Sequence, residues 1–163
     1  MKLENKEFGF DSFAAEMAKL KNEKHFDYLV TIVGEDFGEE GLGCVYILEN
    51  TQSHERISVR QLAKRVGQDN VVPSVFRLWA DANLLEREVY DLFGIKFLGH
   101  PDMRRLFLRN DFVGYPFRKD YDMSPEKNMY TLEDDVEVDE TMEWNLDENG
   151  ELHVTRHKLF HDD

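Results

Sequence analysis

Between Asn83 and Gly94 an apolar stripe of Leu85, Val89, Leu92 and Phe93 recurs at i, i+4, i+7 and i+8, the spacing of one helix face. Asn83 followed three residues later by Glu86 has the pattern of a capping box, and Gly94 stands where a helix C-cap glycine belongs. The pattern predicts a helix over 83–93 docked by one face, so the rest of the chain must supply the surface that receives it. Glu86, Arg87 and Asp91 are expected on the solvent or partner side. Glu88, four residues from both Leu84 and Leu92, lies nearer the apolar stripe and is expected to need a partner such as Arg104 or Arg105.

The receiving surface reads as strands. The run from Phe26 to Gly34 alternates, with Phe26, Tyr28, Val30 and Ile32 on one side and Asp27, Leu29, Thr31 and Val33 on the other. A charged, glycine-rich turn leads to a second run with Leu42, Cys44, Tyr46 and Leu48 on one face, which predicts an antiparallel hairpin. Ile57 and Val59 favour a third strand. Pro73 keeps its surroundings extended, and Ser74 then caps a short turn that buries Val75, Leu78 and Trp79. Upstream, Asp11 or Ser12 caps a helix reaching about Lys24, with Phe13, Met17 and Leu20 on one face. Beyond Gly94 the path is extended, with a short strand at 105–108. The expected fold is α+β, comprising an N-terminal helix, a small mainly antiparallel sheet, the helix at 83–93, an extended basic and aromatic segment, and an acidic C-terminal tail. Residues 1–122 read as one domain and 123–163 as a tail or connector. Within the tail, Trp144 and Leu146 face Leu152 and Val154 across Asn149-Gly150, a hairpin over 142–156.

Charge narrows the partners. The formal net charge is −14, yet residues 96–119 carry 6 basic and 2 acidic groups while residues 120–163 carry 3 basic and 15 acidic groups. So acidic a chain is repelled by phosphate backbones, and nucleic acid is not expected as a partner. The basic stretch, in which Arg104, Arg105, Arg109, Arg118 and Lys119 interleave with Phe107, Phe112, Tyr115 and Phe117, suits a protein interface. Packing of that stretch back onto its own sheet is the competing reading. No apolar run approaches the roughly 18 residues of a membrane span. The N-terminus lacks the apolar core of a secretory signal, so a cytoplasmic location is expected.

Chemistry is thinly represented. The single cysteine, Cys44, excludes an intrachain disulfide and any thiolate-held iron–sulfur cluster or Cys₄ zinc site within these residues. In its apolar setting it reads as a buried, inert thiol. His153, His157 and His161 would align on a helix as a zinc or nickel site. After a hairpin turn the segment is expected to be extended, which separates them too far to share a metal. Glu86, Glu88 and Asp91 are carboxylates without the cleft that acid–base work requires. No catalytic, cofactor-binding or metal-ligating residue is therefore assigned.

These residues also form a longer pattern. Glu86-Arg87-Glu88, then Asp91-Leu92-Phe93, His100, Arg104 and Leu106-Phe107 resemble the signature of the C subunit of proton-pumping NADH–quinone oxidoreductase, respiratory complex I. Val72-Pro73-Ser74-Val75 upstream and Gly114 to Tyr121 downstream extend the resemblance over roughly residues 25–122. It implies a non-catalytic hydrophilic subunit, peripheral on the cytoplasmic side of the membrane. Such a subunit packs against the large quinone-site subunit and the small iron–sulfur subunit of the complex. NADH, FMN, iron–sulfur clusters and quinone then belong to partner subunits. The implied signature and interface residues are Glu86, Arg87, Glu88, Asp91, Leu92, Phe93, His100, Arg104, Arg105, Arg118, Lys119, Asp120 and Tyr121. Phe117 stands where a smaller aliphatic residue is expected. The tail resembles the connector of polypeptides in which the C subunit is fused to the large quinone-site subunit. The alternative is the equivalent module of a membrane-bound [NiFe] hydrogenase or formate hydrogenlyase.

Overall fold

A computed structural model describes residues 4–122 and the strand backbones of 140–146 and 152–158. The fold is α+β. Strand β1 (Glu4–Glu7) precedes helix α1 (Phe10–Asn22), followed by β2 (Tyr28–Asp36), β3 (Leu42–Glu49) and β4 (Arg56–Leu62). Then come the short β5 (Lys64–Val66), β6 (Asp69–Pro73), helix α2 (Ala82–Phe93) and β7 (Ile95–Leu98). One sheet has the order β1-β4-β3-β2 and a second the order β5-β6-β7. Two pairings are parallel, β1 with β4 and β6 with β7, the latter bridged by α2. The remaining pairings in these sheets are antiparallel.

The expected hairpin of β2 and β3 forms, and Leu42, Cys44, Tyr46 and Leu48 are buried as their alternation implies. Strand β2 departs from strict alternation. A bulge between Leu29 and Thr31 shifts the register, so that Leu29 and Ile32 share the buried side and Tyr28 and Val33 are exposed. Strand β1 and its pairing go beyond the sequence reading, and the segment after Gln61 continues as strand. The stretch 105–108 is irregular and forms no strand; amides within it turn instead toward Asp91. Strands β8 (Glu140–Leu146) and β9 (Leu152–Lys158) pair antiparallel with Trp144 opposite Val154 and Leu146 opposite Leu152, as the turn signal predicts. His153 and His157 lie in β9, so the helical alignment of the three histidines does not arise; His161 is outside the described residues.

The core lies between the sheets and helices. Phe13, Met17 and Leu20 of α1 enter it at helical spacing, and Phe13 meets Tyr46 with ring centroids 5.3 Å apart. Ile57, Val59, Val72, Val75, Trp79, Val89, Ile95, Phe97 and Met103 complete it. Cys44 is fully buried, and burial pushes its thiol well above its ordinary pKa, in keeping with an inert role.

Helix α2 lies across β2 at Gly34. A Cβ there would sit 2.5 Å from the Phe93 ring and 2.9 Å from Val89, so only glycine admits this approach. Val89 is buried, whereas Leu92 is half-buried beside an open groove rather than in the core. Gly34→Val should therefore destabilise the fold by about 1 to 3 kcal/mol through overpacking. Leu92→Ala should change stability by less than about 1 kcal/mol. Urea denaturation of both variants tests the phase of α2: a larger loss for Leu92→Ala than for Gly34→Val would refute it.

Candidate functional site: a helix that fixes a loop

Helix α2 carries two fully buried carboxylates on different sides. The sequence pattern puts both Glu86 and Asp91 toward solvent or a partner; neither lies there. Glu86 turns inward, accepting a hydrogen bond from the Ser74 hydroxyl at 2.7 Å and from the Val75 amide at 2.7 Å. It therefore ties the helix to the turn after β6 and makes no capping box with Asn83. Burial pushes its carboxyl up to about 8, only partly offset by those two donors.

Asp91 organises the segment after β7. Its Oδ2 accepts from the amides of Leu106, Phe107 and Leu108 at 3.1, 2.7 and 2.9 Å, and its Oδ1 meets the Arg105 guanidinium at 2.9 Å. Three successive amides pointing at one oxygen form a concave turn, which is why 105–108 cannot be a strand. Burial alone would raise the Asp91 carboxyl, but the amide donors and Arg105 outweigh it and hold the group below its ordinary value. Arg105, its side chain 13% exposed, also donates to the carbonyls of Asp91, Phe112 and Gly114. Its guanidinium lies 5.3 Å from the Tyr115 ring.

The helix ends are held the same way. Gly94 adopts φ 70°, a left-handed C-cap, and its amide bonds the Tyr90 carbonyl at 2.8 Å. Arg118 donates to the carbonyls of Phe93 and Gly94, placing a cation at the negative end of α2, and stacks 4.6 Å from Tyr115. Arg87 reaches the carbonyls of Arg104 and Arg105. His100 is buried with both ring nitrogens used: Nε2 lies 3.0 Å from the Asn83 carbonyl, and Nδ1 3.0 Å from the Asp102 amide. A carbonyl only accepts and an amide only donates, so the imidazole is neutral with its proton on Nε2. Burial lowers its pKa accordingly.

Around this frame the sequence has matches. A family model for the 30 kDa subunit of respiratory-chain NADH dehydrogenase fits residues 10–127. The chain belongs to that family. A C/D subunit of the NADH-quinone oxidoreductase of Phocaeicola vulgatus is 46% identical over 148 residues, 91% of this chain and 28% of that protein. The C subunit of the same enzyme from Moorella thermoacetica is 39% identical, covering 71% of this chain and 78% of that one. The chain thus spans under a third of the C/D relatives it matches. Among solved structures, a trypsin-resistant fragment of Nqo5 aligns at 38% identity with a TM-score of 0.54, covering 59% of this chain and 79% of that fragment. A chain of an archaeal membrane-bound sulfane sulfur reductase aligns at 27% identity with a TM-score of 0.66, covering 76% and 74%.

The stretch 86–107, which resembles the family's signature, is largely an internal lock. Glu86, Arg87, Asp91, His100 and Arg105 bond within the chain, and Arg118 extends the lock to the helix terminus. Arg104 is exposed and pairs with Asp102 at 3.0 Å. The Lys119 amide donates to Asp36, and Asp120 is exposed. The Tyr121 hydroxyl donates to the Val113 carbonyl, and its ring stacks on Phe112. Glu88 pairs with neither Arg104 nor Arg105. With Leu92 and Phe93 it borders the groove against β2. The donors to these carboxylates are mostly backbone amides, which sequence motifs do not display; the Pro73-Ser74 dipeptide is the available sign for Glu86.

Two variants probe the lock. Asp91→Asn leaves Arg105 without its counter-charge and should cost about 3 kcal/mol or more in denaturant titrations. For Glu86, the folded chain keeps its proton to about pH 8 and the unfolded chain only to about 4.5. The stabilisation drawn from this group is therefore complete below the lower value and lost as pH rises through the upper one. Glu86→Gln should abolish that decline, leaving the variant more stable than the parent above about pH 8. Parallel pH profiles for the two proteins would contradict this.

Proposed function

We propose that this chain is the C module of a respiratory NADH–quinone oxidoreductase and acts by packing rather than by chemistry. It presents a rigid surface to the large quinone-site subunit, and through that contact stabilises the assembly next to the small iron–sulfur subunit. The observation that carries this reading is the use made of the signature residues. The charges of Arg87, Asp91, Arg105 and Arg118 are spent on fixing the loop beyond residue 103 against the helix, and the side chains that this loop turns outward include apolar ones: Phe107 is 66%, Val113 72% and Phe117 59% exposed. Exposed aromatic anchors on a pre-organised backbone are what a protein interface requires. NADH, FMN, iron–sulfur clusters and quinone fall to partner subunits in this reading. The location is peripheral, on the cytoplasmic side of the membrane. Among the described residues no helix is long and apolar enough to cross one. Residues 1–122 form the packing module and 123–163 a connector of the kind expected in a fused C/D polypeptide.

A second reading has its own support: the likeness to a sulfane sulfur reductase chain favours the same module in a sister class of respiratory membrane complex. Capture of the tagged chain from its native membranes, with mass spectrometry of what accompanies it, separates the two. Recovery of the large quinone-site subunit with NADH-dehydrogenase subunits supports the first reading; recovery of hydrogenase-like or sulfur-reductase subunits supports the second. Phe107→Asp should keep the parent's melting temperature and weaken capture by about tenfold or more, whereas Arg105→Ala should lower the melting temperature itself.

A further inference from the structure

The two edges of the four-stranded sheet are finished differently. At one, β1 is short, exposed and charged (Glu4, Lys6 and Glu7), which discourages further pairing. At the other, β2 runs nine residues and no described segment pairs with its outer side. The bulge lies near its start and the acidic Glu35 and Asp36 at its end, so the stretch 31–34, Thr-Ile-Val-Gly, is an uncharged edge. Beside it, Ile32, Val89, Leu92, Phe93 and Phe117 line a groove of about 200 Å³ between β2 and α2. Phe117 meets Phe93 edge-on at 5.7 Å and forms one wall. Glu88 also borders the groove, and among the described residues its carboxylate has no hydrogen-bond or ion-pair partner.

We infer that the open edge of β2 receives an extended segment of the large partner subunit, which adds a strand to the sheet, sets apolar side chains in the groove and brings a Lys or Arg to Glu88. The inference rests on the packing role proposed above and names where that packing occurs. Charge selects the occupant. Residues 120–163 of this chain carry 15 acidic and 3 basic groups, and Glu88, Glu35 and Asp36 repel such a segment. A second copy would offer its own β2, Tyr-Leu-Val-Thr-Ile-Val-Gly-Glu-Asp, which carries no Lys or Arg to meet Glu88. An external strand with apolar residues and a cation satisfies both edge and groove: backbone pairing supplies affinity, and the groove and Glu88 supply register.

Hydrogen exchange read by mass spectrometry, on the chain alone and within the complex captured from native membranes, tests this directly. The outward-facing amides of 31–35 should exchange about tenfold or more slowly in the complex. Val33→Lys places a cation on the edge and against Glu88 from within. Glu88→Gln removes the charge with little change of shape. Each should weaken capture about tenfold with an unchanged melting temperature, and Glu88→Gln remains informative if Val33→Lys folds poorly. If the large subunit is captured but 31–35 exchange as in the free chain, and Glu88→Gln binds as the parent does, the inference falls while the packing role stands. If no large subunit is captured by the folded parent, the packing role itself fails. Dimerisation of the isolated chain with protection of 31–35 would overturn the choice of occupant.

Discussion

The path of the chain through residues 105–108 depends on one buried carboxylate. Asp91 is removed from water, which disfavours its charge, and the structure answers with three backbone amides and a guanidinium. The compensation is itself the architecture: to reach one oxygen, Leu106, Phe107 and Leu108 must turn together. Arg105, drawn to the same carboxylate, then gathers the carbonyls of Phe112 and Gly114. A loop without regular hydrogen bonding of its own thus acquires a single conformation from a helix.

The helix is in turn fixed from the opposite side. Glu86 grips the turn after β6, Gly34 lets α2 approach β2 closely, and Gly94 with Arg118 closes its C-terminus. A buried acid whose pKa is pushed up to about 8 is a poor choice for stability alone. Here it aligns helix and turn through directed bonds that an apolar residue would not make. The consequence is a module in which sheet, helix and loop are joined through side chains of one helix.

Much of this is legible in the residues. The 3.6-residue stripe and Gly94 locate α2; period-two alternation locates β3 and the outer hairpin; the lone cysteine in an apolar run announces an inert thiol. What escapes detection has a common physical cause. Periodicity assigns polar helix residues to solvent, so it places Glu86 and Asp91 outside, because most of their partners are amides distant in sequence and amides carry no residue identity. The bulge near Val30 brings Leu29 and Ile32, expected on opposite faces of β2, to the same buried side, since one inserted residue flips all that follow. Arg105 and Arg118 bond within the chain: an arginine stacked on aromatics and donating to carbonyls looks, in one dimension, like an arginine awaiting a partner.

The dependence of the loop on Asp91 has a bearing on quality control. Phe107 is placed by the amides gathered at the Asp91 carboxylate, and Phe117 by the Leu92 carbonyl and the Phe93 ring, so both positions require a docked α2. A nascent or damaged copy carries the same aromatic residues but not their arrangement. Any protein that recognises that arrangement therefore reads, at the periphery, whether the interior has been completed, and rejects unfinished copies without ever touching the core.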